Sequence, residues 1–190
     1  MHVSEVQPAA SAEAGQWLLR HDVHWQDLAR LGPPDFSVHL RIRFEHNPPR
    51  AEQKGELLNL RRALTTLARY TTTPSAAYAA VWEGWTAGDP APDAPRLHIP
   101  NRTMLLFSGA VEVLRDAPAR AWQRDGGEYA EPHFVWPEDR AWCLACDVDE
   151  EVEFTVGCAD DAAEALIEEL PGATRRVQYG DPAPSQLGPI

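Results

Sequence analysis

Two cysteines three positions apart, Cys143 and Cys146, have the spacing that zinc sites and redox-active thiol pairs use. Both functions require the two sulfurs to converge at a turn or at the start of a helix. The pair lies instead where apolar and polar residues alternate, which predicts a β-strand and sends the two side chains to opposite faces. We therefore expect both residues, together with Cys158, to fill the core as small apolar side chains. No metal site and no cofactor are predicted.

His21 and His24 share a spacing that would place both on one face of a helix, where they could bind a metal. No third ligand is close in the sequence, so exposed surface histidines are the favoured interpretation. A nucleophilic pair of Cys143 with His133 stays open as an alternative, although neither residue lies in a recognisable catalytic motif. The sequence thus predicts no catalytic residue.

The chain contains seven tryptophans, which is many for 190 residues. Clusters of tryptophan mark cores, pockets or interfaces, and a nearby arginine can stack on a ring or bind a carboxylate. The favoured interpretation of Arg140 is that it ties its loop to the sheet. The alternative is a ligand pocket, with Arg140, Glu83 and Asp139 as its polar groups. The residues predicted to line this pocket are Trp82, Glu83, Trp85, Trp136, Asp139, Arg140 and Trp142.

The charge of the chain is strongly acidic, with 29 Asp and Glu against 17 Lys and Arg and a net charge of −12. Such a chain repels phosphate backbones, so we expect no nucleic-acid binding. Asp149, Glu150 and Glu151 are predicted to form an exposed turn that binds a basic protein. This turn lacks the order of Asx and Gly residues in an EF-hand, so a calcium site is not expected.

The first residues show neither a cationic region nor an apolar core, so no secretory signal is expected. No run approaches the roughly 18 apolar residues that a membrane span needs, and three cysteines do not form a disulfide framework. The predicted location is therefore the cytoplasm, and no membrane partner is expected.

The clearest local structure is a β-hairpin with strands at 142–148 and 152–158. Apolar residues alternate in both strands, and the acidic turn joins them. If Val148 faces Val152, Cys146 faces Phe154. The segment from Trp136 is predicted to be only a lead-in, because Pro137 disrupts regular structure.

Other periodic stretches predict further elements. Alternation at 38–44 predicts an amphipathic strand with its arginines facing solvent. Leucines spaced by three and four predict a helix at 51–70, and a similar face predicts another at 161–170. Strands are also expected at 77–82, 97–99 and 103–107, with a short helix at 22–31.

These elements predict a single α+β domain at 16–172, with flexible termini at 1–15 and 173–190. The expected sheet is mixed or mostly antiparallel, has about five strands, and carries its helices mainly on one face. The predicted core consists of Leu40, Ile42, Leu60, Leu64, Leu105, Phe107, Leu144, Val156 and Leu166.

Three motifs are similar to those of an uncharacterised family of cytosolic actinobacterial proteins. They are Val81-Trp82-Glu83-Gly84-Trp85, Leu105-Leu106-Phe107-Ser108-Gly109, and the stretch Trp-Pro-Glu-Asp-Arg-Ala-Trp-Cys from Trp136 to Cys143. The similarity covers about half of the chain, from Tyr78 to Leu170. It implies an α+β domain with no assigned activity.

Two hypotheses of function follow. The favoured one is a non-enzymatic protein-binding module, such as an acidic immunity-type inhibitor of a basic partner. The alternative is an enzyme or a small-ligand-binding protein whose pocket is lined by tryptophan and arginine.

Overall fold

The computed structural model describes residues 6–44, 58–85, 93–114, 132–150 and 152–181. Its strands are β1 (Gln7–Pro8), β2 (Val38–Arg43), β3 (Ala77–Trp82), β4 (Arg96–Ile99), β5 (Arg102–Gly109), β6 (Phe134–Pro137), β7 (Cys143–Ala145), β8 (Glu153–Cys158) and β9 (Thr174–Val177). Its α-helices are α1 (Trp25–Leu31), α2 (Leu58–Leu67), α3 (Val111–Leu114) and α4 (Asp160–Glu169), and 3₁₀ helices span Ala12–Leu19 and Glu83–Trp85. In this described part of the chain, no helix has the length and apolar character needed to span a bilayer.

The nine strands of the described residues form one sheet, in which every neighbouring pair is antiparallel. The strand order is β1-β5-β3-β6-β7-β8-β2-β9, and β4 also pairs with β5. The fold is therefore α+β, but the prediction of a sheet of about five strands is wrong.

The strands that the sequence missed lack the alternation by which strands are recognised. β1 has only two residues, and β6 ends in Pro137 and is buried throughout, so neither shows an alternation of polar and apolar residues. β9 reads Thr-Arg-Arg-Val and lies in the stretch predicted as a tail. It is an edge strand, where exposed polar residues are normal.

The predicted hairpin register is confirmed. Leu144 of β7 lies opposite Val156 of β8, which is the register that places Val148 opposite Val152. The register could be predicted because both strands have one apolar face, and a slip by one residue would turn that face to solvent.

Helices cover both faces of the sheet, so the prediction that they lie mainly on one face is wrong. On the first face, α2 and α4 pack over β2, β7 and β8 and α3 packs on β3, all within the largest apolar cluster. On the second face, Trp17 and Leu18 of the N-terminal 3₁₀ helix pack against Trp136 and Cys143, and α1 contacts β7 and β8. Of the predicted helix at 51–70, the structure shows Leu58–Leu67, and residues 51–57 lie outside the described ones.

Because both faces are covered, β2 is not the amphipathic strand predicted. His39 and Arg41 are buried together with the apolar residues that alternate with them, and only Arg43 is exposed. Polar residues can occupy a covered face when hydrogen bonds satisfy them. His39 meets this condition, since its Nε2 lies 3.1 Å from the carbonyl oxygen of Pro33.

All nine residues predicted for the core are buried, which confirms that list. Each large apolar side chain among them stabilises the fold by roughly 1.5–3 kcal/mol when it leaves water. They belong to two clusters rather than one, because Leu105 and Phe107 pack with Val81 at the other end of the sheet.

Candidate functional site

Most of the residues predicted to line one pocket lie in two separate surface pockets or in the core. Trp82 and Glu83 line one surface pocket, whereas Arg140 lines another. Trp136 is buried and lines neither pocket, and its ring lies edge-on to Trp17 of the second pocket at 6.1 Å. Trp85 belongs to the second 3₁₀ helix, but its side chain lies outside the described part of the structure.

The two remaining residues, Asp139 and Trp142, hold the chain that leaves α2. The indole Nε1 of Trp142 donates to the carbonyl oxygen of Leu67 at 2.9 Å, on the first face of the sheet. The carboxylate of Asp139 accepts hydrogen bonds from Thr71 and Thr72, including the backbone N–H of Thr72 at 2.6 Å. Their role in the structure is to anchor the segment after α2.

The pKa of Asp139 is lower than its ordinary value. Burial opposes its ionisation, but the hydrogen bonds from Thr72, Thr71 and Ala141 outweigh that effect. Asp139 is therefore a charged anchor of its turn, and its oxygens already accept several bonds before any ligand is considered.

The Trp82 pocket is a shallow depression of about 510 Å³ at the end of β3. Glu83 accepts a hydrogen bond from Arg96 at 2.8 Å, so its charge is paired. The polar side chains that line the pocket come from the second 3₁₀ helix, from β4 and β5, and from the turn between these two strands. They are Glu83, His98, Asn101, Arg102 and Thr103.

Arg102 is the central cation of the Trp82 pocket. Its guanidinium lies between the rings of Trp25 and Trp82, at 5.5 Å and 5.2 Å from their centroids. It also forms an ion pair with Asp149 at 3.3 Å. This carboxylate is 83% exposed, so the pair contributes little to stability. The sequence did not single out Trp25 or Arg102, because they meet only in the folded chain.

The Trp17 pocket is smaller, with a volume of about 250 Å³, and lies beside the N-terminal 3₁₀ helix. The guanidinium carbon of Arg140 lies 5.5 Å from the centre of the Trp17 ring. Phe36 contacts the same ring edge-on, at 6.4 Å between centroids. The residues that line the pocket are Trp17, Arg20, Asp35, Phe36, Ser37, Arg140, Ala141, Cys158 and Ala159.

Arg140 occupies a backbone conformation that arginine rarely adopts. Its φ is +58°, and its N–H donates to the carbonyl oxygen of Pro137 at 2.9 Å, so it follows a tight turn in the left-handed region. Gly or Asn is preferred there, since other residues lose roughly 1–2 kcal/mol. The protein keeps an arginine at this position despite that cost.

The predicted acidic turn is not a single exposed surface. Asp149 points outward beside the Trp82 pocket, but the carboxylate of Glu150 accepts a 2.7 Å hydrogen bond from buried Arg41 and is only 13% exposed. Glu151 lies outside the described residues. The expectation that Glu150 sits on an exposed turn is therefore wrong.

Arg41 forms the centre of a buried charged network that the sequence did not predict. Its side chain is 2% exposed, and it donates to Glu153 at 2.9 Å and to Thr155 at 3.2 Å. Arg175 donates to the same Glu153 carboxylate at 2.8 Å. The sequence carried no signal for this network, because Arg41 meets Thr155 and Arg175 only once β8 and β9 pair with β2.

The pKa of Glu153 reflects this network. Burial alone would raise it, but hydrogen bonds and charge from Arg175 and Arg41 lower it below its ordinary value. Glu153 is therefore ionised near neutral pH, and its carboxylate and the Arg41 guanidinium satisfy each other in the interior.

The surroundings of the cysteines do not activate their thiols. All three are free and buried, and burial raises the pKa of Cys143 and of Cys158. The thiols of Cys143 and Cys158 are therefore protonated near neutral pH, and a protonated thiol is a poor nucleophile. Among the described residues, no group of three or more His, Cys, Asp or Glu side chains is placed to hold a metal ion.

His133, His21 and His24 each contact a polar group of the protein. His133 is buried, and its Nδ1 accepts the backbone N–H of Trp82 at 2.9 Å. Burial, with a contribution from Arg102, lowers the pKa of His133 to about 3. His21 lies 2.8 Å from Asp35, while His24 accepts the backbone N–H of Gln26 at the start of α1.

Comparison with known proteins finds no matching family model, no matching curated protein and no matching solved structure. The similarity to an actinobacterial family therefore stays a prediction. The function has to be inferred from the geometry of the described residues.

Proposed function

We propose that this chain is a non-enzymatic binding protein and that its partner is a basic protein. The observation that carries the proposal is the outward face of α4. Asp160 and Glu164 are 73% and 69% exposed, and Asp161 and Glu168 are exposed as well. Asp161 and Glu168 have no ion pair among the described residues, so their charges are available to a partner.

The chemistry of the interior supports binding over catalysis. The thiols of Cys143 and Cys158 are buried and protonated, and His133 is buried beside Trp82. A nucleophile needs a lowered pKa or an adjacent base that is accessible to substrate. The proposal includes a cytoplasmic location, where such thiols stay reduced, and no binding of nucleic acid, which the charge of −12 opposes.

The surface favours electrostatic association. In the described part of the chain, Leu58 and Val152 are the only exposed large apolar side chains, so this part presents no broad apolar patch. Charge complementarity increases the association rate and weakens as salt rises. An inhibitor of the immunity type, with a cationic protein as its target, has this character.

The experiment is capture of partners at low salt by the wild-type chain and by two charge-reversal variants. The first variant combines Asp161→Lys with Glu168→Lys on α4. The matched control combines Asp22→Lys with Glu138→Lys, two exposed acids elsewhere on the surface. Each reversal adds two charges, so both variants change the net charge from −12 to −8.

We expect a basic partner that the wild type and the control retain and that the α4 variant loses. Its association rate with the wild type should fall as salt rises, since the Debye length shrinks from roughly 10 Å at 0.1 M to about 3 Å at 1 M. An acidic partner, or equal binding by both variants, would reject the proposal.

A further inference from the structure

The charges around the Trp17 pocket leave one cation without a carboxylate. Asp35 lies 3.2 Å from Arg20 and 2.8 Å from His21, so its charge is shared by two groups. Asp160, beside the pocket, accepts from Ser37 at 3.2 Å and lies 3.6 Å from Arg176. Arg140 has no ion pair in the part of the chain that the structure describes, and its guanidinium is supported only by the Trp17 ring.

The backbone of Arg140 points to a use for this side chain. A left-handed residue after a tight turn is less strained as Gly or Asn, and strained positions cluster at binding and catalytic sites. An arginine here is explained if its guanidinium must reach the pocket. The same turn is anchored by Asp139 through Thr71 and Thr72, which keeps Arg140 in place.

Trp17, which lines the pocket, carries a buried donor that lacks an acceptor in the described part of the chain. Trp17 is 4% exposed, and its indole N–H has no acceptor among the described residues. An unsatisfied buried donor is unfavourable, because it has lost its hydrogen bond to water without gaining another. The same pocket includes Ala159, the N-cap of α4, whose side chain makes no capping hydrogen bond. The start of a ten-residue helix adds partial positive charge there.

We propose that the Trp17 pocket binds a small organic anion, in which a carboxylate or phosphate group pairs with Arg140 and an apolar body packs on Trp17 and Phe36. Arginine suits this role because its planar fork binds oxyanions with two nitrogens. The volume of about 250 Å³ limits the ligand to one smaller than a typical drug. This site goes beyond the basic-partner proposal and does not depend on it.

The first test is an NMR titration of the full chain that follows the indole N–H resonances. The Trp17 resonance is assigned as the one that disappears in Trp17→Phe. Phenyl phosphate and benzoate serve as anionic probes, benzamide as the neutral counterpart, and inorganic phosphate as the anion without a body, all at constant ionic strength. We expect a saturable shift of the Trp17 resonance with phenyl phosphate or benzoate, and little shift with benzamide.

The identity of the anion that shifts the resonance separates phosphate from carboxylate recognition. No saturable shift with either aromatic anion, or an equal shift with benzamide, would overturn the proposal. If inorganic phosphate shifted the Trp17 resonance as strongly as phenyl phosphate does, the apolar body would not contribute to binding. That result would overturn the part of the proposal that packs an apolar body on Trp17 and Phe36.

The second test separates binding from structure at Arg140. Arg140→Asn suits the left-handed backbone, so it should keep or raise the melting temperature while weakening the anion by at least about tenfold. Arg140→Lys, which keeps the charge without the fork, should weaken it less. Arg69→Asn, at an exposed arginine after α2, is the control and should bind as the wild type does. Unchanged affinity in Arg140→Asn would overturn the proposal, whatever its melting temperature.

Discussion

Two arginines of this chain show opposite ways of holding a guanidinium. Arg41 is 2% exposed, contacts Glu150 and Glu153, and donates to Thr155 as well, so its hydrogen bonds are used within the protein. Arg140 is exposed, lies over Trp17 and has no ion pair among the described residues. An arginine whose donors are satisfied in the interior supports the fold, whereas an arginine without an ion pair can bind a ligand.

The largest expected effect is at Arg41. Arg41→Met should lower the free energy of unfolding by about 3–5 kcal/mol, because Glu150 and Glu153 then keep charges that lose their buried partner. Arg69→Met, at an exposed arginine, is the control and should change the free energy by less than about 0.5 kcal/mol. Urea denaturation measures both values. A loss below about 1 kcal/mol at Arg41 would mean that the buried network is dispensable.

Asp149 and Glu150 are adjacent in the chain but differ in burial, as Arg41 and Arg140 do. Glu150→Gln should cost about 1.5 kcal/mol, because it weakens a hydrogen bond between charged groups at a site that is only 13% exposed. Asp149→Asn should cost at most about 0.5 kcal/mol, because Asp149 is 83% exposed and its pair with Arg102 is screened by water. Equal costs in urea denaturation would contradict the different roles of these two residues.

A smaller effect is expected at Asp139, which holds the turn that presents Arg140. Asp139→Asn should cost about 1 kcal/mol at neutral pH, because the carboxylate accepts bonds from Thr71 and Thr72. The folded pKa of Asp139 is lowered, so this stabilisation is present above the ordinary value of 3.8 and is lost as pH falls through the folded pKa. The stabilities of wild type and Asp139→Asn should therefore converge in acid, as measured by urea denaturation across pH. A constant difference down to pH 2 would contradict the assignment.

Sequence patterns predicted the features that depend on neighbouring residues. The register of β7 with β8 follows from two alternating strands around a short turn, and Leu144 does face Val156. The buried leucines of α2 follow from their spacing by three and four.

The rest depends on contacts between distant segments. Arg41 was expected in solvent, and its burial follows only when β8 and β9 supply Glu153 and Arg175 on either side of β2. The Trp17 pocket joins a 3₁₀ helix near the N-terminus, the start of β2 and the turn at Arg140. Neither periodicity nor composition shows that these segments meet.

The most direct test of the contrast between the two arginines measures the free energy of unfolding of Arg41→Met and Arg140→Asn side by side in urea. We expect a loss of about 3–5 kcal/mol for Arg41→Met. For Arg140→Asn we expect no loss, or a gain of up to about 1 kcal/mol as the left-handed backbone is relieved of strain. A loss at Arg140 as large as that at Arg41 would show that both guanidinium groups serve the fold, and would rule out the contrast between them.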